Sequence, residues 1–435
     1  MKDGEKKRIT ASDIRKITFL SEPVISPDGQ EIACTTAQAD IGTDSFFPRV
    51  FLYHLRENTF SPLDLSSSAL NKSEKPNPVA AKKSPTWSPD GRFFTILSEA
   101  SGTWQIWISR TDHREFTQLT SLRHGIERYA WSPDSHSIAF QCRLWNEEIE
   151  SGSAYCNMTP EKRRAWELQK KTAPKEITEI IYKYDGEGIF DGSRMCVGII
   201  SNLDSTTDQS RSEASGMKGA AGNINDAGKK APAGGKPVIL PVSFPCLMPA
   251  WSPDSRQLAF FGRPYDGVKA RSHELFLWDL SDPIPGSPDH RLRKLTDNAK
   301  IAEDSPPCFT GDGQHLIYEG WYGDKETGVV QTLFRVPADS QTSESAAGTG
   351  AVKQPEHESS DAVEKQTVVE DLLQNASEHY YGVDGMPSSR TFYGRQSPCF
   401  QIGNDGASIY YRSAREGKNG LFRIPPGRQQ EESIS

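Results

Sequence analysis

Apolar residues in this chain gather in short dense runs, separated by polar turns rich in Ser, Pro, Asp and Gly. Arg92-Phe93-Phe94-Thr95-Ile96-Leu97 and Gln257-Leu258-Ala259-Phe260-Phe261 are near-continuous apolar stretches of strand length. Such runs predict strands covered on both faces, not the clean alternation of a half-exposed sheet. A turn precedes each: in Ser-Pro-Asp-Gly, Pro presets φ, Asp bonds back to the backbone and Gly accepts positive φ, so the chain reverses tightly into a hairpin.

These units repeat. PTWSPDGRFFTILSE around Trp87 returns as YAWSPDSHSIAFQCR around Trp131 and as PAWSPDSRQLAFFGR around Trp251. Weaker copies are PVISPDGQEIACTT, PPCFTGDGQHLIYEG and SPCFQIGNDGASIYYRS, giving repeat starts near residues 24, 87, 131, 251, 308 and 399. An aromatic-rich strand follows in most repeats, as in RVFLYHL, WQIWISR, ELFLWDL, TLFRVP and GLFRIP. Trp87 and Trp131 lie 44 residues apart, within the roughly 40 to 50 residues of one four-stranded propeller blade. The fold class expected is all-β, a β-propeller of four-stranded blades over residues 1–435 with about six recognisable repeats.

The longer intervals carry inserts. Between Trp131 and Trp251 lie a charged, helix-like TPEKRRAWELQKK, the strand-like EITEIIYKY and a Ser/Gly/Ala/Lys-rich tract over 205–237; a second tract covers 338–367. Both tracts have the composition of disordered segments and decorate blades without dividing domains.

Composition narrows the classes. Hydrophobic content is 35 %, yet nine Trp, thirteen Tyr and nineteen Phe are present, so ordered blocks diluted by polar inserts are expected. With 50 basic and 58 acidic side chains the formal charge is −8, which speaks against nucleic acid as a partner. Seven Cys form no CxxC pair and lie at no zinc-like spacing with His, so buried free thiols in a reducing compartment are expected. The charged MKDGEKKRITASDIRK lacks the apolar core of a secretory signal, and no run of 18 apolar residues occurs. A cytoplasmic protein without a membrane partner is the expectation.

The sequence resembles the N-terminal propeller of the prolyl oligopeptidase family of serine peptidases, in its acylaminoacyl-peptidase and dipeptidyl-peptidase-like branch. The opening ITASDIRKITFLSEPVISPDG is similar to the family's start. EITEIIYKYDGEGIFDGSRMCVGIISNLD, residues 176–204, resembles a family passage at Tyr184, Asp185, Gly186, Gly188, Phe190, Asp191 and Arg194, and departs from it at Cys196 and Val197. The resemblance implies seven blades, a role in gating peptide substrates, and an α/β-hydrolase domain carrying the catalytic Ser, Asp and His. G-x-S-x-G and an HGG-type oxyanion loop are absent from the 435 residues. The expected chain therefore has no catalytic, cofactor-binding or metal-ligating residue of its own, and would work with a missing or separate hydrolase domain; a stand-alone interaction scaffold is the alternative.

Asp28, Asp90, Asp134, Asp254 and Asp312 form a carboxylate series, but each falls in a turn, where Asp satisfies backbone N–H groups. Trp87, Trp131 and Trp251 recur at one blade position, as packing residues do. DGEGIFDG superficially resembles a calcium loop, but Ile189 and Phe190 occupy ligand slots and no terminal Glu follows. Lys162, Arg163, Arg164, Lys170 and Lys171 accompany Trp166 and Leu168 on one helix-like stretch, a solvated face or a docking edge.

Overall fold

The computed structural model describes residues 10–40, 42, 45–65, 80–113, 115–145, 148, 159–174, 183–184, 188–189, 192–203, 235–264, 273–281, 292–297, 299–302, 305–321, 332–339, 369–373, 400–415, 418–427 and 432–434. They form an all-β structure of the β-propeller class. Six four-stranded antiparallel sheets, or blades, each follow the chain order strand by strand. Blade I is built from Phe19–Ile25, Glu31–Asp40, Ser45–His54 and Thr59–Pro62; blade II from Lys82–Trp87, Phe93–Ser98, Gln105–Arg110 and Thr117–Gln118. Blade III takes Ile126–Trp131, Ile138–Trp145, Ser193–Ile200 and Val238–Ile239; blade IV takes Cys246–Trp251, Gln257–Gly262, Glu274–Asp279 and Leu292–Lys294. Blade V comprises Cys308–Phe309, His315–Gly320, Thr332–Pro337 and Glu370–Asp371, and blade VI Phe400–Ile402, Ile409–Arg415, Lys418–Ile424 and Glu432–Ser433.

Every repeat start marks the first strand of a blade or the residue beside it. The aromatic-rich runs that follow are the third strands, hydrogen-bonded along the second; Phe94 pairs Ser109 and Phe260 pairs Phe276. The chain divides into two compact units, Met1–Cys142 with Ile199–Val238 and Ser389–Ser397, and Arg143–Gly198 with Ile239–Ser388 and Pro398–Ser435. Blade III has residues in both.

In the first unit, Ala33, Val50, Leu52, Leu63 and Leu65 of blade I and its exit pack against Trp87, Phe94, Ile96, Trp107 and Phe116. Trp107, Phe94 and Phe116 are fully buried. In the second unit one core joins blades IV and V through Leu247, Phe261, Leu275, Tyr318 and Phe334, and another joins V and VI through Ile317, Leu333, Phe400, Tyr411 and Phe422. This explains the unbroken apolar runs: Phe93–Ser98 has all six residues buried and Gln257–Gly262 five of six, covered on both faces, while the second strand of blade I leaves Gln38 and Asp40 exposed.

The turns join blades as well as strands. Gly29, Gly91, Gly313 and Gly406 take φ of +68, +74, +71 and +71°. Ser135 and Ser255 stand at this position in the two S-P-D-S copies and adopt the same left-handed backbone, φ +64 and +61°. Ser135 is repaid in part, since its Oγ accepts the Asp90 N–H at 3.0 Å from the turn of the preceding blade. Gly311 N–H likewise donates to the Gly406 carbonyl at 2.6 Å, joining the turns of blades V and VI.

The helix of the first long interval spans Pro160–Thr172, with Thr159 accepting from the Lys162 N–H and Pro160 in its first turn. Trp166 sets its ring edge-on to Trp145, centroids 4.8 Å apart. Most of both low-complexity tracts lies outside the described residues; Ala338, at the start of the second, is buried in the blade IV–V core.

Candidate functional site

The repeat aspartates are engaged in their own turns. Ser26 Oγ donates to Asp28 Oδ1 at 2.6 Å, and the Gln30 N–H donates to the same oxygen at 3.0 Å. The pattern recurs at Ser88–Asp90–Arg92, Ser132–Asp134–His136, Ser252–Asp254–Arg256 and Thr310–Asp312–Gln314. Donation by the Ser26 hydroxyl and the Gln30 N–H holds Asp28 below the ordinary carboxylate value. At Asp254 burial acts the other way and is outweighed by Ser252 and the Arg256 N–H. Asp405, in the sixth repeat, is pulled to about 2 by the Ser408 hydroxyl and by the N–H groups of Ser408 and Ala407.

A second carboxylate is buried between blades I and II. Glu22, with φ +53° in a bulge of the first strand, accepts from Thr35 Oγ1 at 2.6 Å, from the Ser84 N–H at 2.7 Å and from Ser84 Oγ at 2.8 Å. Ser84 occupies the bulge of blade II at φ +52°, and its carbonyl accepts from Tyr129 Oη of blade III at 2.6 Å. These contacts tie consecutive first strands together, so this group is structural.

One hydrogen-bonded relay was not foreseen from the sequence. Glu31 and His54 are directly opposed across the second and third strands of blade I. His54 Nδ1 lies 2.9 Å from Glu31 Oε1, and His54 Nε2 lies 3.1 Å from Ser61 Oγ. His113, from the turn after the third strand of blade II, places Nε2 3.1 Å from Glu31 Oε2. The order Ser–His–carboxylate resembles the connectivity of a triad, but Ser61 is held in a strand ladder opposite Leu52, not on a strand-to-helix elbow. Glu31 stands 23 positions from His54 and 82 from His113, and His54 stands 7 from Ser61; folding alone brings the relay together.

Near the 176–204 passage, Lys183–Tyr184 and Gly188–Ile189 form a small antiparallel hairpin. Asp185, Gly186, Phe190 and Asp191 lie outside the described residues. Arg194 lies in the third strand of blade III, beside Cys196. Cys196 is buried, which pushes its thiol to about 11, against the lowering effect of the Arg194 charge. Burial raises Cys246 further. Among the described residues, Cys34, Cys142, Cys196, Cys246 and Cys308 are in no disulfide. Among the described residues no three His, Cys, Asp or Glu side chains are placed to hold a metal ion, and no helix is long and apolar enough to cross a membrane. Lys162 and Arg164 of the basic stretch are exposed, as is Leu168.

No family model matches the chain. A curated protein of Bacillus subtilis strain 168, described as the uncharacterized peptidase YuxL, is 28 % identical over 189 residues, covering 43 % of this chain and 25 % of that protein. Among solved structures, the acylaminoacyl peptidase of Pyrococcus horikoshii aligns over 97 % of this chain and 47 % of its own, at 12 % identity and a TM-score of 0.55. An acylaminoacyl peptidase in complex with Z-Gly-Gly-Phe-chloromethyl ketone aligns with a TM-score of 0.54, again at 12 % identity, over 97 % of this chain and 46 % of the other. The chain thus shares the fold of about half the length of each of those two peptidases, and its match covers a quarter of the curated relative.

Proposed function

We propose that this chain is the substrate-gating propeller of a serine peptidase resembling the acylaminoacyl peptidases, working with an α/β-hydrolase domain that supplies the nucleophile. The observation that carries the reading is the alignment of nearly the whole chain with a propeller-containing half of an acylaminoacyl peptidase. In such an enzyme the hydrolase Ser attacks the peptide carbonyl, and water releases the acyl group. The propeller acts before that chemistry, admitting short peptides and excluding folded chains, and contributes no catalytic, cofactor or metal-binding group. The described thiols, none of them in a disulfide, fit a reducing, cytoplasmic setting. Peptides are the partners, not nucleic acid or membrane.

The test couples sequence to assay. Reading the native transcript beyond the Ser435 codon is expected to reveal a seventh repeat and a G-x-S-x-G segment. The 435-residue chain alone is expected to leave an N-acetylalanyl anilide uncleaved, and the extended chain to cleave it until treated with a serine-directed phosphonate. A stable, monomeric chain of 435 residues ending at a genuine stop codon, with no hydrolase co-purifying, would overturn the reading in favour of an interaction scaffold.

A further inference from the structure

The relay at Glu31 joins two blades of the first unit through a histidine with one unsatisfied nitrogen. With Glu31 a carboxylate, it only accepts, so each neutral imidazole presents its single N–H to it: His54 through Nδ1 and His113 through Nε2. His54 Nε2 is then an acceptor for the Ser61 hydroxyl at 3.1 Å. His113 Nδ1 is bare, buried, and has no hydrogen-bond partner. Its ring stands edge-on to Phe94 and Trp87, with centroids 4.6 and 6.4 Å away.

The two histidines respond differently to a second proton. At His54 the Ser61 hydroxyl can reverse, accepting where it donated. At His113 the new N–H would point into aromatic packing with nothing to accept it. We propose that His113 is the acid-sensitive pin of a clasp between blades I and II, and that its protonation frees the turn at 111–113 from Glu31 and uncovers Trp87 and Phe94.

The charged and titratable groups facing His113 are Glu31 and His54 from blade I and Asp112 from its own turn. Burial dominates and holds His113 below the ordinary histidine value, with Glu31 and Asp112 acting to raise it and His54 to lower it. The turn is also under backbone strain: His113 has φ +53°, a left-handed conformation that disfavours a residue with a Cβ. It is tied as well by the His113 N–H to the Arg110 carbonyl at 3.0 Å and by Thr111 Oγ1, which lies 2.8 Å from the Gly91 carbonyl and 3.2 Å from that of Arg92.

A histidine with a depressed folded-state pKa stabilises above its unfolded value of about 6.5 and loses that contribution as pH falls through the folded value. The test is hydrogen–deuterium exchange on the full chain between about pH 7.5 and about pH 5, corrected for intrinsic exchange rates. Protection in 86–95 and 105–113 is expected to fall with acid in the wild type. It should stay level in His113→Gln, whose amide can still donate to Glu31. Histidine-ring NMR of the wild type supplies an independent reading that needs no variant. It should show His113 as the Nε2–H tautomer and protonating over the interval in which protection is lost. Equal acid loss in His113→Gln, unchanged wild-type protection, or an Nδ1–H tautomer at His113 would each overturn the proposal.

Discussion

Trp131 holds its neighbouring blade by two interactions of different kinds. Its ring stacks on Phe93 with an interplanar angle of 3° and centroids 6.2 Å apart, and its Nε1–H donates to Thr95 Oγ1 at 2.9 Å. Trp131→Phe keeps much of the apolar contact and loses the bond, so a destabilisation of about 1 kcal/mol or somewhat more is expected in thermal unfolding. Phe94→Ala, at a fully buried site, should cost about 3–5 kcal/mol by opening a cavity between blades I and II. Asp405 offers a test of pH dependence. Its carboxyl titrates near 2, against 3.8 ordinarily. A depressed carboxylate stabilises above its unfolded pKa and loses that contribution as pH falls through the folded one. Wild-type thermal stability should fall faster than that of Asp405→Asn over that interval.

At the level of the turn, glycines at two positions of the repeat have different work. Gly29 has φ +68° and open space where a Cβ would stand, so Gly29→Ala should cost only the left-handed strain, about 1 kcal/mol. At Gly311 a Cβ would stand 2.5 Å from the Gly406 Cα, backbone against backbone. Gly311→Ala should therefore cost several times as much, through loss of the bond between the turns of blades V and VI; paired melting curves of the two variants check the ratio. The S-P-D pattern made the hairpin readable, because Pro, Asp and the hydroxyl act within six residues. It did not reveal that Ser135 also accepts from the turn of the preceding blade. Nor did it predict the bulges at Glu22, Ser84 and Met248, where non-glycine residues take positive φ. At Glu22 and Ser84 the bulges face each other across two blades, the Ser84 N–H and Oγ both donating to the Glu22 carboxylate, while Thr35 Oγ1 of blade I supplies a third donor.

For the molecule as a whole, the propeller reading and the peptidase reading rest on different supports. Likeness at 12 % identity establishes the fold; the peptidase reading is a proposal about chemistry, tested by assay. If the propeller only gates access, the chain fused to its hydrolase should show sharply declining kcat/KM as peptide length grows, while a chain relieved of the propeller should lose that discrimination. The repeats, the all-β class and the turn role of the aspartates were readable because each depends on neighbours in sequence: a period near one blade, a dense apolar run, a hydroxyl and a carboxylate two positions apart. The Glu31–His54–His113 relay and the Glu22 cluster were not readable. Strand register and the stacking of successive blades bring those groups together, and long-range packing, with the burial it imposes on a histidine, is decided only when the chain has folded.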